Sequence, residues 1–378
     1  MNNLSNKAYG FILLFVLLLV ISGVMIFNNQ RQNHKAVTIY GAVGGGKENF
    51  LADEEFIRIL EDEYMLDVVN DTWSNGKTIK DELKRENGDK YDFVFFSDQR
   101  FYDYFKTPAT GEEAARDTVL NGSLTLNTPI VIYSWDTVVD ALIKENIVTE
   151  KDKVYYITDM NKLLDYILVG KKWSDIGLNN LYGNINIDST DPVTSSPGAT
   201  YYGLLLSIMA GGTINDKNVE EILPKLKDFY EKSGYMNNTP ADLFEMYLKT
   251  GVGAKPMIVD YEKSIIDFAN SNPEGYKEVK DKIRVLYPTP TIWNSHCIAT
   301  FTENGNKYLS VFKNPEVQKI AWKKYGFRTG TTVGSYKVSD AKVEGLPQNI
   351  DQTVSGLRMN IYNKLIDYLK EENEWKTN

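Results

Sequence analysis

The sequence predicts an α/β protein of two lobes, preceded by one membrane-spanning helix, and three observations carry that expectation. Strand-like and helix-like runs alternate with short connections, the pattern of βαβ units and a largely parallel sheet. A proline-bounded strand late in the chain leads back towards the first α/β unit, so two lobes are joined by two crossings, with a cleft between them. An uncharged run, Phe11–Phe27, reaches about 20 residues with Ala8–Gly10 and is long enough to cross a bilayer core.

The apolar run has no A-x-A cleavage site and no lipid-modifiable cysteine, so residues 8–27 read as an uncleaved anchor rather than a removed signal peptide. Lys7 flanks it on one side and Arg31 and Lys35 on the other, so charge counting does not orient it. A short tail ahead of an apolar run resembles an export signal, which puts the large domain outside the cytoplasm.

KAVTIYGA is then a strand interrupted by Gly41–Gly46, followed by a helix from about Phe50 to Tyr64. LDVVND is the second strand, TIKDELKREN an amphipathic helix, and YDFVFFSD a third strand of the continuous apolar kind that parallel sheets bury on both faces. NTPIVIYSW follows, with Pro129 at a strand start. From Asp136 to about Tyr287 a second α/β pattern runs through the strand INID, the helices TYYGLLLSIMA and VEEILPKLKDFYEKSG, and the strand AKPMIVDYE. KIRVLYPTPTIWNSHCIATF is the returning crossing, and the tail from about Gln352 to Trp375 is a closing amphipathic helix. The expected division is 1–35 for the anchor and its flanks, 36–128 plus 289–378 for a discontinuous first lobe, and 129–288 for the second.

Composition narrows the function. A chain of 378 residues, 42% hydrophobic, buries a large core and more than one domain. A net charge of −9 excludes a general nucleic-acid surface, because Lys77, Lys80, Lys84 and Arg85 are interspersed with acids. With one cysteine, Cys297, and two histidines, His34 and His296, there is no disulfide framework, no thiolate metal site and no expected cofactor. His296 and Cys297 are adjacent, so on a strand they point to opposite faces and form no dyad; His296 reads as structural.

GAVGGGKE, Gly41 to Glu48, fits G-x-x-x-x-G-K between a strand and a helix, the context of a phosphate-cradling loop. Glu48 stands where such a loop needs Ser or Thr to hold magnesium, which argues against nucleotide hydrolysis. What survives is glycine-rich backbone whose N–H groups meet a polar or anionic ligand; a simple tight turn is the alternative. After the second strand, DTWSNG offers Ser74 and Asn75 as donors and Trp73 as a cover, or an ordinary turn. SDQR offers Ser97 and Asp98 as helix caps or ligand contacts. The most specific stretch is STDPVTSSPGATYYG, residues 189–203, with more hydroxyls ahead of a helix than one cap uses.

These residues resemble a family. STDPVTSSPGATYYGLLLSIMAGG is similar to the T-D-P-x-x-S-x-x-G loop and helix of bacterial extracellular solute-binding proteins with the type 2 periplasmic-binding fold, in the broad molybdate- and sulfate-binding-like group. NPEVQKIAWKKYGFRTG resembles that group's late helix with its Y-G-F-R, NTPIVIYSW its hinge strand, and YPTPTIWNSHCIATF its returning strand. The resemblance implies two Rossmann-like lobes that hinge shut on a small polar or anionic solute, delivery to a permease of the ATP-binding-cassette (ABC) type, and no covalent chemistry. It also implies ligand contacts from Gly44, Gly45 and Gly46, from Ser74 with its neighbour Asn75, from Asn127, from Thr194, Ser195 and Ser196, and from Tyr261. Pro197 departs from the pattern by removing one N–H from the helix start, and the tail beyond Val338 is longer than the fold requires. A membrane-bound sensor or scaffold that reuses the fold, and a nucleotide hydrolase built on Lys47, are the alternative functions.

Overall fold

The computed structural model describes residues 36–73, 85, 87–106, 119–234, 236, 239–329 and 336–370. The expected anchor at 8–27, residues 78–84 and 86 of the expected helix TIKDELKREN, and the ligand candidates Ser74 and Asn75 lie outside them. Among the described residues no helix is long and apolar enough to cross a membrane. The strands are β1 (Val37–Val43), β2 (Leu66–Thr72), β3 (Phe93–Phe96), β4 (Asn121–Trp135), β5 (Val148–Lys151), β6 (Val154–Ile157), β7 (Met257–Tyr261), β8 (Ile283–Pro288), β9 (Thr291–Thr300), β10 (Arg328–Thr329) and β11 (Thr353–Val354).

β1 lies between β2 and β3 and is parallel to both, with Val37 opposite Leu66 and Gly41 opposite Phe93. Every residue of FVFF in β3 is buried, so both faces of this sheet are covered, as its apolar run implies. One face packs Ile39, Phe93 and Phe95 against Phe56, Ile59 and Leu60 of the helix Glu54–Asp62, and against Phe312 and Ile320 from late in the chain. Asp53 starts that helix by accepting from the Glu55 and Phe56 N–H groups at 3.0 and 3.1 Å. Its other oxygen accepts from Tyr325 OH at 2.7 Å, tying the late helix Pro315–Tyr325 to the first. The opposite face holds Ala42, Val94, Phe96, Trp73 and Cys297.

β4 is the crossing, and it is longer than NTPIVIYSW. Its first part runs antiparallel to β9, from Asn121 opposite Thr300 to Pro129 opposite Trp293. From Ile130 onward its partners are β7 and β8, both antiparallel, with β6 beyond β8 and β5 at the edge. Pro129 sits at the handover, where a residue without an N–H is tolerated. INID contributes one parallel bridge, Asp188 to Ile258, rather than a full strand. The helix Ser196–Met209 is buried from Pro197 to Ile208, which suits a core helix that is apolar all round.

The tail contacts both halves of the fold. β11 pairs parallel with Thr291 and Ile292 of β9, and the helix Met359–Lys370 buries Ile361, Leu365 and Leu369 in the core cluster built from β4, β7 and β8. The sequence grouped 289–378 with the first lobe because the chain returns there. This amphipathic helix packs beside the helix Val219–Lys232. On its other side, the Tyr362 ring lies 4.1 Å from the Arg100 guanidinium carbon of the first lobe.

Arg328, the arginine of Y-G-F-R, fastens this junction. Its Nε and Nη2 donate to the two oxygens of Glu262 at 2.6 and 2.7 Å, and it also donates to the carbonyls of Pro347 and Gln348. Tyr287 OH donates to the same carboxylate at 2.6 Å. Both charged groups are fully buried, so the pair stands on completed hydrogen bonding, which offsets its desolvation.

Candidate functional site between β1, the 189–198 loop and β9

The glycine-rich turn leaves β1 with Gly44 N–H on the Phe95 carbonyl at 2.9 Å. Gly46 takes φ 88°, the left-handed region that glycine enters without strain. Its N–H is already used, donating to both oxygens of Glu48 at 2.9 Å. Lys47 turns inward: its Nζ donates to the Gly44 carbonyl, lies 3.4 Å from that of Gly45, and sits 4.7 Å from the centre of the Phe95 ring. Burial drives its pKa down to about 7. A phosphate loop needs that amine and those N–H groups facing outward, and the helix behind this turn is only four residues long. Nucleotide hydrolysis on Lys47 has no geometric support.

Across from this turn, the loop ahead of the helix Ser196–Met209 is folded by Asp191. Its carboxylate accepts from Val193 N–H at 2.9 Å and its carbonyl from Ser195 N–H at 2.9 Å. The helix begins at Ser196, three residues before the expected start near Ala199, which puts Pro197 in the first turn, where no internal hydrogen bond is lost. Gly198 is required there: a Cβ at this position meets the Thr190 carbonyl at 2.2 Å. Ser195 occupies the N-cap position, yet its hydroxyl makes no capping bond.

β9 supplies the floor. Alternation along the strand sends Asn294 and His296 towards this side, while Cys297 joins the cluster on the opposite face. Asn294 Nδ2 donates to the Ser97 carbonyl at 3.0 Å and lies 3.3 Å from His296 Nε2. Burial, with Lys47 and Lys263 nearby, holds the His296 pKa well below its usual value, so the imidazole is neutral.

Together these elements enclose a cavity of 360 Å³, at the small end of the range of roughly 300–1,000 Å³ for ligand pockets. Gly45, Gly46, Thr194, Ser195, Ser196 and Tyr261 line it, joined by Trp73 and Ser97, so most of the expected ligand residues converge. Four wall residues carry a buried polar atom with no hydrogen-bond partner: Ser195 Oγ, Tyr261 OH, Asn294 Oδ1 and His296 Nδ1. The residues are 8%, 6%, 2% and 2% exposed. Each such atom costs on the order of 1–3 kcal/mol until a partner arrives.

No protein-family model matches the chain, and no curated protein matches it in sequence. Solved structures do match in shape. A putative extracellular solute-binding protein from Bordetella parapertussis superposes at a TM-score of 0.54 with 12% identity, over 90% of this chain and 99% of the other. The substrate-binding protein of an ABC transporter from Agrobacterium tumefaciens does so at 0.51 and 15%, over 89% and 94%. A Trichodesmium protein in complex with iron and citrate does so at 0.54 and 14%, over 88% and 98%. The chain has the fold of the bacterial extracellular solute-binding proteins.

Not every expected contact of a solute-binding fold falls in the small cavity. Asn127 pairs with Ser295, and both line a second cavity of 710 Å³ with Trp293, Arg100, Arg328 and the tail around Gly356. Gly44 lies behind the wall, where a Cβ meets the Ser97 backbone nitrogen at 3.0 Å. Asp98 acts as a cap, accepting from Arg100 N–H at 2.8 Å and bridging its guanidinium, while Ser97 reaches the wall. Asn294 and His296 also line the small cavity and were not among the expected contacts. The signal available was β-strand alternation in WNSHC, which sets these two polar side chains on one face.

Proposed function

We propose that this chain is a membrane-anchored extracellular solute-binding protein that closes its two lobes on a small polar solute, and that it hands the solute to a permease of the ABC type. The observation that carries the reading is the convergence on one cavity, between the glycine turn and the 189–198 loop, of Ser195, Tyr261, Asn294 and His296, each of which carries an unpartnered buried polar atom. Hydroxyl, amide and imidazole groups that line the cleft replace the solute's water, and hinge movement of β4 and β9 closes the site. The similar structures are a putative extracellular solute-binding protein from B. parapertussis and the substrate-binding protein of an ABC transporter from A. tumefaciens, which accords with capture and delivery. The anchor at 8–27 keeps the domain at the outer membrane surface, within reach of its permease.

A thermal-shift panel on the detergent-solubilised full chain tests this. A solute at about 100 times its dissociation constant stabilises the fold by roughly 2.7 kcal/mol, a clear rise in melting temperature. A chain that responds to no small solute, yet recovers one membrane protein on crosslinking in cells, contradicts the reading in favour of a sensor or scaffold.

A further inference from the structure

Resting on that reading, we propose that the 360 Å³ cavity selects an uncharged solute carrying a hydrogen-bond donor beside an acceptor, as a hydroxyl or a carboxamide does, and that it rejects oxyanions.

The wall's hydrogen-bond polarity is fixed by its own contacts. The Ser97 carbonyl must receive a donor, so Asn294 presents Nδ2 to it and keeps Oδ1 as a free acceptor. The same Nδ2 faces His296 Nε2, which therefore accepts, and the imidazole proton resides on Nδ1, a free donor. Ser195 Oγ and Tyr261 OH each donate or accept. An acceptor, a donor and two hydroxyls on residues of one wall match a group with both roles. A fully deprotonated oxyanion such as sulfate or molybdate offers acceptors only, and any oxyanion brings negative charge to Asn294 Oδ1.

The surroundings agree. Among the described residues no charged side chain lines this cavity. The Gly46 N–H, which an anion needs, is held by the chain's own Glu48 carboxylate, so the first-lobe rim already bears negative charge. Lys47 Nζ is committed to the Gly44 carbonyl behind the turn. Pro197 withholds one donor at the helix start. A site whose buried polar groups are shaped for one pattern rejects a solute that leaves them unpaired.

The test uses the full chain in detergent micelles, titrated with neutral sugars and polyols in one arm, uncharged amides in a second, and sulfate, phosphate, molybdate and citrate in a third. A hit in either neutral arm, with no response to the oxyanions at equal concentration, is expected. Asn294→Leu and His296→Phe then weaken that hit at least about tenfold, as loss of one hydrogen bond to a matched group implies. If either variant fails to fold, Ser195→Ala decides: a weakened hit supports the assignment and an unchanged affinity overturns it. An oxyanion that binds, with affinity lost in Ser195→Ala, overturns the selectivity and leaves the solute-binding reading standing. Silence in all three arms removes both.

Discussion

Lys47 shows how a residue's chemistry depends on which way its turn sends it. In sequence it completes a phosphate-loop pattern, and nothing local tells whether the amine faces out or in. The structure sends it in, against Gly44 and the Phe95 ring, and burial lowers its pKa from 10.5 to about 7. Between those values the unfolded chain holds more protons than the folded one, so stability rises with pH from about 7 to 10.5 and is lost as pH falls through about 7. Lys47→Met removes this term, at most a few kcal/mol at about 1.4 kcal/mol per pKa unit. The melting temperature of the variant relative to the parent is therefore highest at pH 6 and declines towards pH 10. A variant that loses ground at pH 6 and recovers at pH 10 contradicts the account. His296 teaches a related lesson: the scarcity of histidine in the composition argues against metal and dyad chemistry, whereas the free Nδ1 of His296 emerges only once Asn294 is seen beside Nε2.

Among the elements, those with strong hydrophobic patterning were legible and those defined by partners were not. YDFVFFSD and AKPMIVDYE read correctly as buried strands because their apolar runs report burial directly. INID shows the same pattern but forms a single bridge, since Asp188 meets only Ile258. β4 began earlier than its apolar part because its first half, Asn121–Thr128, is held by pairing to β9 and not by hydrophobicity. The closing helix was legible as amphipathic, while the surface it covers was not, because periodicity names a face and not its partner. Leu365 is fully buried on the second-lobe core, so Leu365→Ala costs roughly 2–5 kcal/mol by chemical denaturation. A loss below about 1 kcal/mol contradicts that docking.

For the whole molecule, the order of strands, loops and crossings pointed to the solute-binding fold, and the structural comparisons bear that out at low identity. The site was partly legible: the turn Gly45–Gly46 and the loop Thr194–Ser196 meet across one cavity, while Asn127 faces another and Ser74 and Asn75 lie outside the described residues. What the sequence left hidden was the joining of the lobes by the Arg328–Glu262 pair and the tail, because burial of a charge pair is a property of packing. The account makes the 189–198 loop the second lobe's share of the ligand site. Titration calorimetry of the full chain against its best solute, compared with the Ser195→Ala, Ser196→Ala double variant, tests this most directly. Two lost hydrogen bonds at about 1 kcal/mol each predict an affinity weaker by roughly 30-fold, with a melting temperature of the free protein that does not fall, because the unpartnered Ser195 hydroxyl is removed; an affinity equal to the parent's contradicts the account and removes this loop from the site.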